Sequence, residues 1–426
     1  MMTFTLVFLY VVLPAIYFIL FLSGLYVYSP LSVVNYFFSI FSFYVVINNI
    51  LISLKIPVFQ LRLPHDKMIK VHVFTGLFVI IGIYFHFFSK LLTGSSIDLL
   101  SWILLVLFSL LYVIAILWIE TPLFRKFRKK ILNRIQHPAL RAYDTIKKHH
   151  GYVFFLFGIL VTFHVNMAMV ANAGTPLIFI FSLGYPIIVF LLFAYSKIRK
   201  SWLPELVLIE KRRVSDIQIL TFKKPEKKKL HYQAGQFAYI RFLHSPLSAE
   251  EHPFSFLSCP SDPYISLGIK VLGDFTEKVT TIEPKTMARI NGGFGNFIPR
   301  YDKERTCFIG SGIGIVPIVS LLRDMKNHPP KQQVLCFLAV NIREELLYEK
   351  ELREIADSIP QLRLVFYIYQ EDGIRYSETL FGSEIPEPQT YSYYICSSPT
   401  VRNIVVQSLN RLGVPKKQFH YEVFSY

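Results

Sequence analysis

The sequence predicts a membrane-embedded all-α bundle of six helices, followed by a small antiparallel β-barrel and then an α/β nucleotide-binding domain. Three observations carry that prediction. Residues 1–200 are a string of apolar stretches, each of about 20 residues or more, enough to cross a bilayer as helix. From Trp202 the pattern turns to short, closely spaced segments rich in β-formers. Beyond residue 300, strand and helix patterns alternate, as in a doubly wound unit. The expected domains are 1–200, 201–300 and 301–426.

The six spans are expected at 4–27, 31–54, 68–91, 97–120, 151–171 and 176–196. A hydrophobic fraction of 53% over 426 residues also exceeds what a soluble globular chain carries. No basic cluster precedes the first stretch and no small-residue cleavage site follows it, so it reads as a retained span. Charge gives the orientation. The net formal charge is +16, and its cations gather in alternate loops. Lys55, Arg62, Lys67 and Lys70 lie between spans two and three. Arg125, Lys126, Arg128, Lys129, Lys130, Arg134, Arg141, Lys147 and Lys148 lie between spans four and five, and Lys197, Arg199 and Lys200 follow span six. The opposite loops have only Lys90 nearby. Basic loops stay in the cytoplasm, so both termini are expected there. That alternation, which scattered surface lysines would not give, ascribes the charge to a lipid bilayer in the plasma membrane and argues against nucleic acid as partner. Cys259, Cys307, Cys336 and Cys396 form no C-x-x-C pair and read as reduced cytosolic thiols.

Four histidines stand out. The third span carries His72 and His86; the fifth carries His150, at its very start, and His164. Fourteen helical steps fall about 40° short of four turns and rise about 21 Å. Both rings of a pair therefore face nearly the same way, one near each membrane face. Two such helices side by side offer two His–His pairs, the geometry for two stacked six-coordinate b-type haems. A lone membrane histidine can simply hydrogen-bond to a neighbouring helix. Two pairs at one spacing, on helices of one direction, favour ligation. His72 and His150 would hold the inner haem, His86 and His164 the outer one. His149 lies about 60° off on the other side, and His150 is preferred because it repeats the first spacing.

In the second half, Leu206–Ile209, Asp216–Phe222 and Gln236–Phe242 read as strands, and Lys223–Lys229 as a solvated hairpin tip. Next, Thr306–Ile309 reads as a strand, Gly310-Ser311-Gly312-Ile313-Gly314 as a tight turn and Ile315–Asn327 as a helix. Strands at Val334–Val340, Leu364–Tyr369 and Tyr391–Cys396 alternate with helices at Glu345–Ser358 and Thr400–Leu412. Glycines at the first strand–helix turn let the backbone approach a pyrophosphate at a helix N-terminus.

From span three onward the chain resembles the NADPH oxidase and ferric reductase family, and its second half resembles a ferredoxin–NADP reductase module. The residues that carry this are the histidine pairs, Gly235-Gln236-Phe237, His252-Pro253-Phe254-Ser255, Lys270 with Gly273-Asp274-Phe275-Thr276, the glycine turn through Pro317, Cys396-Ser397-Ser398-Pro399, and Tyr421-Glu422-Val423-Phe424. The resemblance implies FAD on the barrel and NADPH or NADH on the last domain. His252 and Lys270 would face the FAD pyrophosphate, Pro253 would shape that loop, Phe254 would pack on the flavin, and Ser255 would hydrogen-bond near its reactive nitrogen. Thr276, after Gly273, would cap a helix facing phosphate. Gly310, Gly312, Gly314 and Pro317 would shape the nicotinamide-nucleotide turn, Cys396 would lie beside the nicotinamide, and Phe424 would shield the flavin. Ser311 stands where the family usually has glycine, and Cys-Ser-Ser-Pro replaces Cys-Gly-Pro.

The implied activity is electron transfer from cytosolic NAD(P)H through FAD and two haems to an extracytoplasmic acceptor. Dioxygen, giving superoxide, is one acceptor. Ferric iron is the other, and thirteen residues between His150 and His164 lean that way. The short outward loops carry no evident metal-binding cluster, which leans back toward dioxygen. A transporter with a regulatory nucleotide domain is the reading of another class. Arg343, after the second strand of the last domain, could contact a 2′-phosphate or be a solvated loop arginine. No obligatory protein partner is evident in the sequence.

Overall fold

The computed structural model describes residues 2–23, 29–54, 65–118, 143–172, 176–225, 230–243, 247, 251–300 and 304–421. The chain divides into two units, Met1–Ser201 and Trp202–Tyr426.

The first unit is helical. Met2–Val7, Phe8–Val12 and Leu13–Ser23 run on as one helix, α1, with a π turn over the middle five residues. Helix α2 (Pro30–Ser53) begins where Ser29 Oγ accepts from the Ser32 amide, with Pro30 in the first turn. Then come α3 (His65–Leu92), α4 (Leu99–Trp118), α5 (Tyr143–Asn172) and α6, which runs Pro176–Phe179, a π turn Ile180–Gly184, and Tyr185–Ser201. Asp98 caps α4, its Oδ1 accepting from the Ser101 amide at 2.7 Å. Five segments among the described residues are long and apolar enough to cross a membrane: Phe4–Ser23, Pro30–Ser53, Met68–Leu92, His149–Ala168 and Pro176–Lys200. The fourth expected span is present as helix α4, whose apolar stretch Leu99–Val113 is shorter. Helix α5 starts well before the expected span, so His149 and His150 lie inside it.

Helix α2 is the hub. Every residue from Ser42 to Ile52 is buried. One side joins Tyr17, Phe21 and Val189 in one cluster; the other joins Val79, Phe108 and Phe157 in a second. Its buried amides are paired, as lipid-depth polar groups must be. Asn48 Nδ2 donates to the Leu9 carbonyl, in the π turn of α1, at 2.6 Å, and the Tyr185 hydroxyl donates to Asn48 Oδ1. Asn49 Oδ1 accepts from the Tyr10 hydroxyl at 2.8 Å and from Thr75 Oγ1 at 2.9 Å. In the α6 π turn, the Phe181 carbonyl accepts from the Tyr44 hydroxyl and the Ser182 carbonyl from Asn166 Nδ2. Both π turns thus have carbonyls served by side chains of other helices.

The second unit opens with a barrel: β1 (Glu205–Val214), β2 (Ile217–Lys223), β3 (Phe237–Phe242), β4 (His252–Ser255), β5 (Tyr264–Lys270), α7 (Asp274–Val279) and β6 (Met287–Phe294). The strand order is β4-β3-β6-β1-β2-β5 with antiparallel neighbours, and a bridge between Phe256 and Leu267 joins the two ends. Leu220, Phe222, Ile240, Phe242, Leu267 and Ile290 belong to its core. The expected hairpin tip at Lys223–Lys229 is corrected by this order. Strands β2 and β3 do not pair, so the segment is a crossing connection, of which residues 226–229 lie outside the described residues. Lys224 Nζ donates to the Pro260 carbonyl.

The nucleotide lobe follows: β7 (Arg305–Ser311), α8 (Ile315–Asn327), β8 (Gln333–Val340), α9 (Glu349–Ser358), β9 (Leu362–Ile368), α10 (Tyr369–Asp372), α11 (Glu378–Glu384), β10 (Tyr391–Cys396), α12 (Pro399–Arg411) and β11 (Phe419–Tyr421). The sheet order is β11-β10-β7-β8-β9, all parallel. Helices α8 and α9 cover one face; α11 and α12 cover the other. Barrel and lobe share a core, because Ile217, Ile219 and Leu257 pack with Val316 and Ile318. Arg323 locks the seam: it donates to both Glu351 carboxylate oxygens, at 2.7 and 2.8 Å, and to the Leu257 carbonyl at 3.3 Å. Strand β11 had no expectation from sequence.

Candidate functional site

In the helical unit, the rings of His72 (α3) and His150 (α5) face each other with centroids 6.1 Å apart and planes at 74°. Two imidazoles that each give a nitrogen to one metal atom at about 2 Å put their centroids about 6 Å apart, so this pair fits a shared iron. His150 also packs on Phe154 at 4.5 Å, whereas His149 is exposed. His86 lies about four turns along α3 from His72, and His164 about four turns along α5 from His150. Phe154, Phe157, Phe108 and Tyr112 form an aromatic group, with successive centroids 4.3–6.2 Å apart. The Tyr112 hydroxyl donates to the Gly76 carbonyl on α3. Among the described residues, no group of three or more His, Cys, Asp or Glu gathers as a metal site.

On the barrel, His-Pro-Phe-Ser is strand β4 itself, at the end of the strand order, where a proline lacking N–H is tolerated. Alternation puts His252 and Phe254 on one side of β4. His252 stacks on Phe275 of α7 at 3.8 Å, and Phe254 lies parallel to the same ring at 6.2 Å. Two motifs far apart in sequence are thereby brought together. Ser255 is buried in the register pair with Phe237. Thr276 closes its own turn: Oγ1 accepts from the Leu272 and Gly273 amides at 2.8 and 2.9 Å and donates to the Gly273 carbonyl. The space beside Gly273 is open, with nothing within 4 Å of a built Cβ. Lys270 Nζ sits 2.9 Å from Asp216 Oδ2, so its charge already has a carboxylate partner. Gln236 ties the neighbouring loops, donating to the carbonyls of Gly293 and Gly295 and accepting from the Gln233 amide.

In the lobe, β7 ends at Ser311, a 3-10 turn spans Gly312–Gly314, and α8 begins at Ile315, so buried Pro317 lies in its first turn. Gly312 has φ +56° and open space beside it, the cradle that a pyrophosphate against backbone amides requires. Gly310 and Cys396 pair across β7 and β10, placing the glycine turn and Cys396 on one rim of the sheet. Cys396 is fully buried in the apolar cluster beneath that turn. Gly310 is held by Tyr376, whose buried hydroxyl donates to the Gly310 carbonyl at 2.7 Å and to that of Phe337 at 3.0 Å. Burial pushes the Tyr376 phenol well above its ordinary range, keeping it a donor. Nothing in sequence singled Tyr376 out. Arg343, one strand over, grips two carboxylates: Glu371 at 2.9 and 2.5 Å, and Glu349 at 2.9 Å. Phe424 lies outside the described residues.

Residues 206–297 match an FAD-binding domain and residues 308–401 an oxidoreductase NAD-binding domain. A superoxide-generating NADPH oxidase heavy chain of Dictyostelium discoideum is 27% identical over 223 residues, 47% of this chain and 30% of that one. The ferredoxin reductase component of 3-ketosteroid-9-alpha-monooxygenase from Rhodococcus rhodochrous is 25% identical over 50% of this chain and 62% of its own length. Respiratory burst oxidase homolog protein D of Arabidopsis thaliana is 24% identical over 53% of this chain and 26% of its own. The chain thus spans less than two thirds of each. The two matched domains coincide with the closed barrel and the parallel lobe, and they follow membrane-length apolar helices. The second half of the chain thus carries an FAD-binding domain and an oxidoreductase NAD-binding domain, and is similar in sequence to NADPH oxidases and to ferredoxin reductase components.

Proposed function

We propose that this chain passes electrons from cytosolic NAD(P)H through FAD and two b-type haems to an acceptor across the plasma membrane, reducing dioxygen to superoxide. The cofactors supply the redox chemistry: a two-electron flavin couple and two one-electron irons. The facing rings of His72 and His150, repeated by spacing at His86 and His164 on the same helices, are the observation that carries the reading.

The chain's own residues would divide the work. His72 and His150 hold the inner haem, His86 and His164 the outer. Held by these four imidazoles, the two irons would supply one-electron chemistry. His252 and Phe254, fixed by Phe275, present an aromatic wall to the flavin, and Ser255 supplies a hydroxyl beside it. Gly310, Gly312, Gly314 and the first turn of α8, with Pro317, receive the nicotinamide dinucleotide phosphates. Thr276 shapes the Gly273 turn. Lys270 contributes through its ion pair with Asp216, a weaker role than direct phosphate contact. Cys396 supports the glycine turn beside the nicotinamide. Both termini face the cytoplasm, on the side of the basic loops. Neither nucleic acid nor an obligatory protein partner is needed.

Purified full-length protein given NADPH or NADH tests the reading. Reduction of cytochrome c that superoxide dismutase abolishes supports it. Brisk ferric reduction without superoxide supports the second reading, a ferric reductase, which the thirteen-residue spacing of His150 and His164 favours. Bound nucleotide that fails to bleach the flavin points to a transporter instead.

A further inference from the structure

Of the four candidate haem ligands, His86 is the one whose Nδ1, among the described residues, meets a side chain from another helix. Asn35 Oδ1, on α2, lies 2.9 Å from it. Among the described residues, no hydrogen-bond partner falls on the ring nitrogens of His72, His150 or His164. Asn35 is buried, with 6% of its surface exposed. The contact is built into the helix packing. One turn before His86, Gly82 lets α3 approach α2 so closely that a Cβ there would lie 1.9 Å from Ser42 Oγ and 3.2 Å from the Phe38 carbonyl. That approach brings the short Asn35 side chain within reach of the ring.

An amide oxygen has only lone pairs to offer, so the shared proton sits on Nδ1. The Nε2 lone pair is then free for a metal, the tautomer an axial ligand needs. A hydrogen bond accepted from Nδ1–H also makes the imidazole a stronger electron donor, which favours the oxidised iron and lowers its potential. We infer that Asn35 is the positioning residue of the outer haem site: it fixes the His86 tautomer and makes the outer iron the more strongly reducing, as one-electron transfer to a weak oxidant such as dioxygen requires. This rests on the di-haem reading above.

The test is a spectroelectrochemical titration of purified full-length wild type, Asn35→Ala, Asn35→Leu and Asn35→Asp, with haem content measured on each. In Asn35→Ala and Asn35→Leu, which lack the acceptor, one of two haem waves should move to higher potential and the other stay. In Asn35→Asp, which keeps an acceptor of similar size, the same wave should hold or move lower. Low-spin ferric electron-resonance signals should change for that haem alone. Loss of one haem in Asn35→Leu with retention in Asn35→Asp also supports the inference. Two unmoved waves in every variant overturn it while leaving the di-haem reading intact. Loss of a haem in Asn35→Asp as readily as in Asn35→Leu overturns it too, since packing alone would then explain the contact. Wild type without haem removes the reading on which it rests.

Discussion

Gly314 and Cys396 meet backbone to backbone: a Cβ on Gly314 would lie 2.0 Å from the Cys396 carbonyl oxygen and 2.9 Å from the Ser397 amide nitrogen. Backbone cannot swing aside as a side-chain tip can. Gly314→Ala should therefore push the turn off β10, at about 1–3 kcal/mol of stability. The apparent KM for NAD(P)H should rise well above any change in flavin content. Unaltered nucleotide binding and melting in that variant would contradict the geometry.

Tyr376 is the hidden support of the same turn. Tyr376→Phe strips one donor from two buried carbonyls, at about 1–3 kcal/mol. Thermal melts should drop and NAD(P)H binding should weaken, while FAD stays bound to the barrel. A wild-type KM would show that Gly310 is held without it.

His164→Ala should halve the haem content, losing the outer haem, while NAD(P)H still reduces FAD. Superoxide production or ferric reduction should fall to background. Equal loss of flavin reduction and acceptor reduction would count against two separate haem layers.

The carboxylates around Arg343 bear on nucleotide preference. Glu371 and Glu349 occupy the guanidinium, so a 2′-phosphate brought to Arg343 would meet two carboxylates, and NADH is the expected preference. Glu371→Gln should lower the KM for NADPH relative to NADH by roughly threefold to tenfold, where tenfold is about 1.4 kcal/mol. A ratio that does not move would make Arg343 a bystander.

Glu349 gives a pH test. Burial pushes its carboxyl up, but Arg353 and Arg343 outweigh burial and hold it below its usual value. Its folded pKa is depressed, so its contribution is complete above the unfolded value of about 4.3 and vanishes as pH falls through the lower folded one. Wild type should melt slightly higher than Glu349→Gln at neutral pH, by less than about 1 kcal/mol, and the gap should close in acid. A gap that persists in acid would point to packing.

How far the sequence can be read follows the range of each signal. Helix α8 and strand β10 have the residue bounds their patterns give, because periodicity and a glycine turn are local. The facing of His72 and His150 is legible because a 3.6-residue helix converts spacing into direction. Strand β4 looks like a loop motif because proline and only four residues hide a strand; pairing with β3 decides it. The lysine run fails as a hairpin for the same reason, since strand order is not written in adjacent residues. Arg343 is open between two roles in sequence, and its carboxylates come from later positions, one of them 28 residues on. Asn35 and Tyr376 escape notice because their partners are 51 and 66 residues away. An amide at membrane depth is the one available clue.

The asparagines of α2 have a consequence for biogenesis. Asn49 finds its partners on α1 and α3, so both are at hand once the third helix has left the ribosome. Asn48 takes its second partner, Tyr185, from 137 residues downstream, on α6, the last helix of the first unit. Until then one amide oxygen of α2 is left in lipid without a donor from α6. Insertion therefore finishes as a final closure, with α6 sealing a core that the earlier helices hold half-built.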